Sequence, residues 1–208
     1  MDLIERLDAT RRRWNILEHP FYVRWERGQL TRDELAYYAA EYRHAVVALA
    51  RAARRASELT GPEHAAEEEA HVDLWDDFAA ALESDRERAP LAQTARCAAA
   101  WTSADDPLEA VAILYAIEAG QPDVSETKLA GLVEHYGFAQ GSPGTAYFEL
   151  HAERDHEHAA SSRVLLEEHA SDRDAERLVS AAEAALAGNW ALLDGVSAAG
   201  ERASVNAC

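Results

Sequence analysis

Lysine is nearly absent from this chain: of its 20 basic residues, only Lys128 is not an arginine. A GC-rich genome accounts for the scarcity but not for where the one lysine stands. Cysteine is as rare, with only Cys97 and Cys208, far apart and one of them the last residue. That excludes a disulfide framework and reads as reduced thiols in a cytoplasmic protein. Val, Ile and Thr are sparse and form no alternating runs, which argues against a sheet, while alanine, leucine, glutamate and arginine dominate. No apolar run has the length of a membrane span. The start, Met1-Asp-Leu-Ile-Glu5, lacks the basic and apolar regions of a secretory signal. Positive charge is short as well: 20 basic residues face 38 acidic ones, for a net charge of −18. Such a surface repels phosphate backbones, so nucleic acid is not an expected partner, nor is a membrane. There is no internal repeat and no low-complexity linker. The expectation is a single helical domain over residues 1–208, with a tail that frays after about 200.

What is present is helix after helix, broken at proline and glycine. Leu3, Leu7, Trp14 and Leu17 recur at helical spacing over roughly 2–18, before His19-Pro20. A short piece with Phe21, Tyr22 and Trp25 stops at Gly28. Thr31 and Glu34 form a capping box that opens a long helix through Tyr38, Tyr42 and His44 to about Ser57. Pro62, Pro90, Pro107 and Pro143 each start another, and Pro122 interrupts the one that begins at Pro107. A last helix covers about 172–195. The pattern predicts an all-α bundle of about seven helices.

The run His151-Ala-Glu-Arg-Asp155-His-Glu-His158 carries the chemistry. Positions i, i+4 and i+7 fall within about 60° of one helix face. Imidazole and carboxylate on one inward stripe suit iron or manganese. Tyr147, Phe148, Leu150, Val164 and Leu165 flank the run and place that face toward a core. Earlier, His64, Glu67, Glu68 and His71 share a stripe that Leu74, Trp75 and Phe78 continue. Glu118 ends the apolar run Val111–Ile117 without a basic neighbour. A charge there is costly unless it is paired or binds metal. Each stretch also has a plainer reading: Glu67-Glu68-Glu69 as a solvated charge run, Glu118 at an exposed helix edge, 151–158 as a polar face. Taken together they suggest a dinuclear site, with Glu68, His71 and His151 on one metal and Glu118, Asp155 and His158 on the other.

These residues resemble the heme-oxygenase-like diiron oxidases and oxygenases, which share the seven-helix fold of TenA and PqqC. Within them, the resemblance is strongest to the chlamydial proteins associating with death domains and their bacterial relatives. It covers nearly the whole chain. It is carried by Leu17-Glu-His-Pro-Phe-Tyr22-Val-Arg-Trp25, His71-Val-Asp-Leu-Trp75, Leu114-Tyr-Ala-Ile-Glu118-Ala-Gly-Gln-Pro122, Lys128-Leu-Ala-Gly-Leu and the His151–His158 run. The resemblance implies metal ligation at His71, Glu118, His151, Asp155 and His158. The segment between His44 and His71 is shorter than in the chlamydial branch. Strict spacing therefore puts the remaining ligand at His64, and glutamate–x–x–histidine spacing puts it at Glu68, with Glu67 next; Glu68 is preferred. The resemblance also implies a self-sacrificing route to 4-aminobenzoate that consumes Tyr22 and Lys128, with Tyr147 near the metals. Ile117 stands where that branch has a tyrosine. Cys97 lacks the context of the TenA nucleophile.

The expected function is an O2-activating oxidase or oxygenase with two irons, or one manganese and one iron, acting on a small molecule. Dioxygen is its co-substrate and an external reductant serves it. Tyr22, Tyr42, His44 and Tyr147 are the expected cavity lining. The resemblance alone suggests a homodimer. Two alternatives stand beside it: the self-sacrificing 4-aminobenzoate synthase, and a metal-free helical ligand- or partner-binding protein.

Overall fold

A computed structural model describes residues 2–206, and side-chain positions at 201 and 203–206 lie outside that description. Cys208 lies outside the described residues, whereas residues 201–206 of the tail expected to fray belong to the last helix. The α-helices are α1 (Leu3–Arg13), α2 (Pro20–Glu26), α3 (Arg32–Thr60), α4 (Pro62–Ala81), α5 (Ala92–Trp101), α6 (Pro107–Glu118), α7 (Gln121–His135), α8 (Pro143–His169) and α9 (Ala175–Asn206). No described residue is in a strand. Among the described residues the nine helices exceed the expected seven, because α2 is a separate short piece and α6 parts from α7 at Gly120.

Local chemistry sets these boundaries. Thr31 and Glu34 form the anticipated capping box, with Thr31 N–H donating to Glu34 Oε2 at 2.8 Å. Asp106 caps α6 by accepting from Glu109 N–H at 2.9 Å. Helix α1 stops at Arg13 rather than near residue 18, because Asn15 turns its side-chain oxygen to Leu17 N–H and opens a 3-10 turn, Ile16–Glu18. His19 caps α2 through Nδ1, which accepts from Phe21 N–H at 3.0 Å. Gly61, at φ +87°, separates α3 from α4 with a backbone conformation that side chains disfavour.

Helix α3 packs on α4, α5, α6 and α9. Its inner face is mostly alanine, from Ala39 to Ala56, so neighbouring backbones approach closely. Helix α6 is buried from Ala110 to its last residue, Glu118, which sets that carboxylate inside the molecule. Trp75 is fully buried and donates from Nε1 to Ala39 O at 2.8 Å, tying α4 to α3. Burying such a ring contributes roughly 1.5–3 kcal/mol. Helix α8 lies on α4, α6 and α7, so α4, α6 and α8 turn their polar stripes toward one another.

Candidate metal centre

Each helix contributes by its register. Three inward turns of α4 present His64, Glu68 and His71; α6 presents Glu118 near its end; α8 presents His151, Asp155 and His158. Glu68, Glu118, His151 and Asp155 are each 1% exposed. Ligand atoms of His64, Glu68, Glu118 and His158 lie within 4.8 Å of one another, and so do those of Glu68, His71 and His151. Glu68 belongs to both groups. The first group differs from the trio read from register: His64 and Glu68 stand in it, while Asp155 Oδ1 lies beside it, 3.6 Å from His158 Nδ1.

The polar atoms at the centre lack hydrogen-bond partners. Both oxygens of Glu68, Glu118 and Asp155 are buried and make no hydrogen bond, and neither do His64 Nε2, His71 Nδ1, His151 Nε2 and His158 Nδ1. His71 Nδ1 is 3.0 Å from Glu68 Oε1, and His64 Nε2 is 3.0 Å from Glu118 Oε1, without hydrogen-bond alignment. Leaving a buried charged group unpaired costs several kcal/mol. A cation bound among them removes that cost, and mixed imidazole and carboxylate donors fit iron or manganese.

Outer partners orient the imidazoles. His151 Nδ1 lies 2.7 Å from Tyr147 O and donates to it, which leaves Nε2 with its lone pair toward the centre. His158 Nε2 lies 3.0 Å from Glu67 Oε2 and points Nδ1 inward. Arg154 holds Glu67 through donors at 2.8 and 3.2 Å. Arg154 first, and His158 after it, pull the Glu67 carboxyl down to about 2. Glu67 is thus a clasp at the half-exposed edge, and Glu68 is the buried member of the charge run. Burial lowers His151 to about 4. It raises Asp155 to about 7, helped by the Glu118 and Glu68 charges. At His158 burial works downward, but Asp155, Glu118 and Glu68 outweigh it and lift the ring to about 9.

An aromatic cage adjoins this centre. Lys128 is 2% exposed, and its Nζ lies 4.7 Å from the Tyr22 ring centre, 4.9 Å from Tyr42 and 5.6 Å from Tyr38. The Tyr22 and Tyr38 hydroxyls are 2.8 Å apart. Tyr147 stacks on His151 at 4.0 Å, linking cage to centre. Burial without a compensating carboxylate lowers Lys128 to about 7. Trp25 Nε1 donates to Lys128 O at 3.1 Å, and Gly131 one turn on lets the indole lie against α7.

Of the four residues expected to line a cavity, Tyr22 and Tyr42 face Lys128 and Tyr147 stacks on His151, while His44 stands apart. It turns outward, with Nε2 3.1 Å from Arg88 O. Tyr38 joins the cage without having stood out in the sequence, although it lies one turn before Tyr42 on the same face. Buried Glu41 serves the fold rather than the centre. It accepts from Leu91 N–H at 3.0 Å and Thr94 Oγ1 at 2.5 Å, capping α5. Cys97 is a buried free thiol.

Residues 35–190 match the family described as iron-containing redox enzymes. A 4-aminobenzoate synthase of Chlamydia muridarum is 30% identical over 93% of this chain and 89% of the relative. Among solved structures, a heme-oxygenase-like domain from Shewanella denitrificans has a TM-score of 0.76 at 20% identity, covering 94% of this chain and 92% of that one. A TenA homolog from Pseudomonas syringae has a TM-score of 0.75 at 16% identity, covering 92% and 89%.

Proposed function

This chain belongs to the iron-containing redox enzymes, and from that premise we propose that its buried cluster holds two metal ions for O2-dependent oxidation of a small organic group. The observation that carries this reading is the convergence of seven buried or nearly buried histidine and carboxylate side chains whose inward atoms have no other partner. Glu68, His71 and His151 would hold one ion. His64, Glu118 and His158 would hold the other, with Glu68 shared and Asp155 within reach. When bound, two irons, or a manganese and an iron, supply one-electron redox steps for the reduction of dioxygen.

The chain's own residues do the rest. Tyr147 O fixes the His151 tautomer, and Glu67 with Arg154 fixes His158. The wall of Trp75, Tyr147 and Phe148 excludes water from the inner side. An external reductant balances the electrons. The test is to load the protein with Fe(II) under anaerobic conditions, count bound iron, and follow oxygen uptake. About two irons per chain are expected. His151→Ala and His158→Ala should lose iron while circular dichroism keeps its helical signal. Stoichiometric iron in both variants would rule the site out.

A narrower reading is favoured by the cage: the chain forms 4-aminobenzoate, the product in its relatives' name, from Tyr22 and Lys128 themselves. Nζ lies over the Tyr22 ring at 4.7 Å. With Lys128 lowered to about 7, much of it is the neutral amine near neutral pH, the form that can be oxidised or attack. This reading expects at most one product per chain and a matching change in protein mass. Lys128→Arg removes the primary amine and should abolish product; wild-type yield from that variant would exclude lysine as the nitrogen source.

A further inference from the structure

The buried cluster is not sealed equally on all sides. The side chains of Glu68, Glu118 and Asp155 are each 1% exposed, whereas those of His64 and His158 are 10% exposed. Both histidines border a depression of about 540 Å3 between the α3–α4 junction and α8. Their rings lie 4.1 Å apart, centre to centre. Behind them, Glu118 Oε1 is 3.0 Å from His64 Nε2, and Glu68 Oε1 is 3.9 Å from His158 Nδ1. These two imidazoles therefore belong both to the wall of the depression and to the group of side chains that could hold an ion.

Carboxylates surround this opening. Glu63 and Glu157 are exposed, and Glu67 is half-buried. One guanidinium, that of Arg154, stands among them. It donates to Glu67 on α4 at 2.8 Å and to Glu157 on its own helix, so it ties α8 to α4 across the mouth. Ion pairs this exposed cost little to break. Three carboxylates around one guanidinium draw cations to the mouth, divalent ions most strongly. A smaller depression, of about 240 Å3, meets the cluster at Asp155, between the α6–α7 junction and α8. It offers a cation no carboxylate besides Asp155, and its wall holds alanines and the Arg163 guanidinium.

We propose that divalent metal ions enter the cluster through the depression at His64 and His158, and that Arg154 is its gate. The guanidinium leaves Glu67 for solvent, and the ion passes between the two imidazoles to Glu68 and Glu118. This route rests on the reading of the cluster as a metal centre. The experiment follows Co(II) by its visible absorption, without oxygen, as it enters the full chain and as EDTA withdraws it. Ser161, exposed on the wall of the larger depression, and Ala160, exposed on that of the smaller, are each replaced by tryptophan. Ser161→Trp should slow uptake and release by the same factor, roughly tenfold, and leave affinity and stoichiometry unchanged. Ala160→Trp should change neither rate. Arg154→Gln should speed uptake by roughly tenfold. Arg154→Lys keeps the charge but loses the fork that holds two carboxylates, and it should speed uptake too.

Circular dichroism checks folding; if Ser161→Trp does not fold, the two Arg154 variants still decide. Wild-type uptake in Ser161→Trp, or an equal slowing in Ala160→Trp, overturns the route. Arg154 variants that release Co(II) faster but take it up at the wild-type rate overturn the gate, because the residue then only steadies Glu67 and His158. Fast uptake in Arg154→Gln alone does the same, since charge then explains it. A chain that binds no Co(II) or Fe(II) removes the metal reading and the route together. Full binding at rates that no variant moves removes the route and leaves the metal reading standing.

Discussion

Glu67 and Glu68 show how much one residue of register matters. They are adjacent in a charge run, yet Glu68 is 1% exposed at the centre while Glu67 sits outside, clasped by Arg154. Helical spacing puts His64, Glu67, Glu68 and His71 on one stripe but does not rank them, because an arc that wide spans both the inner face and its edge. Glu68→Gln should therefore cost iron stoichiometry outright. Glu67→Gln should retain both irons but release them faster to a chelator, since it only orients His158. Equal iron loss in the two variants would erase the distinction. Lys128 offers a second residue-level prediction. Its pKa is about 7 in the folded chain against an ordinary value of 10.5. Between those values the unfolded chain holds the proton and the folded chain does not, so this group makes stability rise with pH across the window. Below about 7 the buried ammonium carries its full penalty. Lys128→Met should remove that slope. Urea midpoints of both proteins at about pH 6.5 and 9.5 check it, and parallel shifts in the two would sink the idea. Both values lie below the range where the buried tyrosines, raised by burial, act in the opposite sense.

At the scale of helices, prolines, glycines and caps explain most boundaries, and these are legible because their chemistry is local. Pro143 and Gly61 work through backbone geometry, and Thr31 works on an amide three residues away. The early end of α1 is not legible, because Asn15 could continue a helix or cap a turn and the tertiary contacts of Trp14 select the turn. Trp14 and Trp190 meet edge to face at 6.1 Å, joining α1 to α9. The contact between α2 and α7 matters most for function, since it carries Tyr22 and Lys128. A Cβ on Gly131 would stand 2.8 Å from the Trp25 ring. Gly131→Val should push α7 from α2 and lower stability by about 1–3 kcal/mol through overpacking. If the cage reading is right, it should also cut product yield without lowering the iron count. Wild-type yield in a variant destabilised by that amount would detach the cage from the chemistry.

Across the whole molecule, the candidate metal centre is a set of carboxylates and imidazoles that three helices force together inside the core. Without metal, protons partly take its place. Asp155 is raised to about 7 and His158 to about 9, so around pH 6.5 both largely hold a proton in the folded chain. Iron has to displace them. Affinity for Fe(II) should therefore climb between about pH 6 and 9, with release of roughly one to two protons per chain at about pH 6.5. An anaerobic titration in weak buffer with a pH indicator measures this directly. Affinity that is flat with pH and a titration that releases no protons would mean that these groups do not meet the metal. From the chain alone came the all-helical class, the breaks between helices, the stripe of His151, Asp155 and His158, and the oddity of one lysine. All follow from composition and from a period of 3.6 residues, which act within a few turns. Folding chose Glu68 over Glu67 to face the centre, brought in His64, turned His44 outward and set Lys128 above Tyr22. Those outcomes depend on how each helix is rotated about its axis against its neighbours. That rotation is set by packing between residues far apart in sequence, such as Trp25 against Gly131 and Trp75 against Ala39.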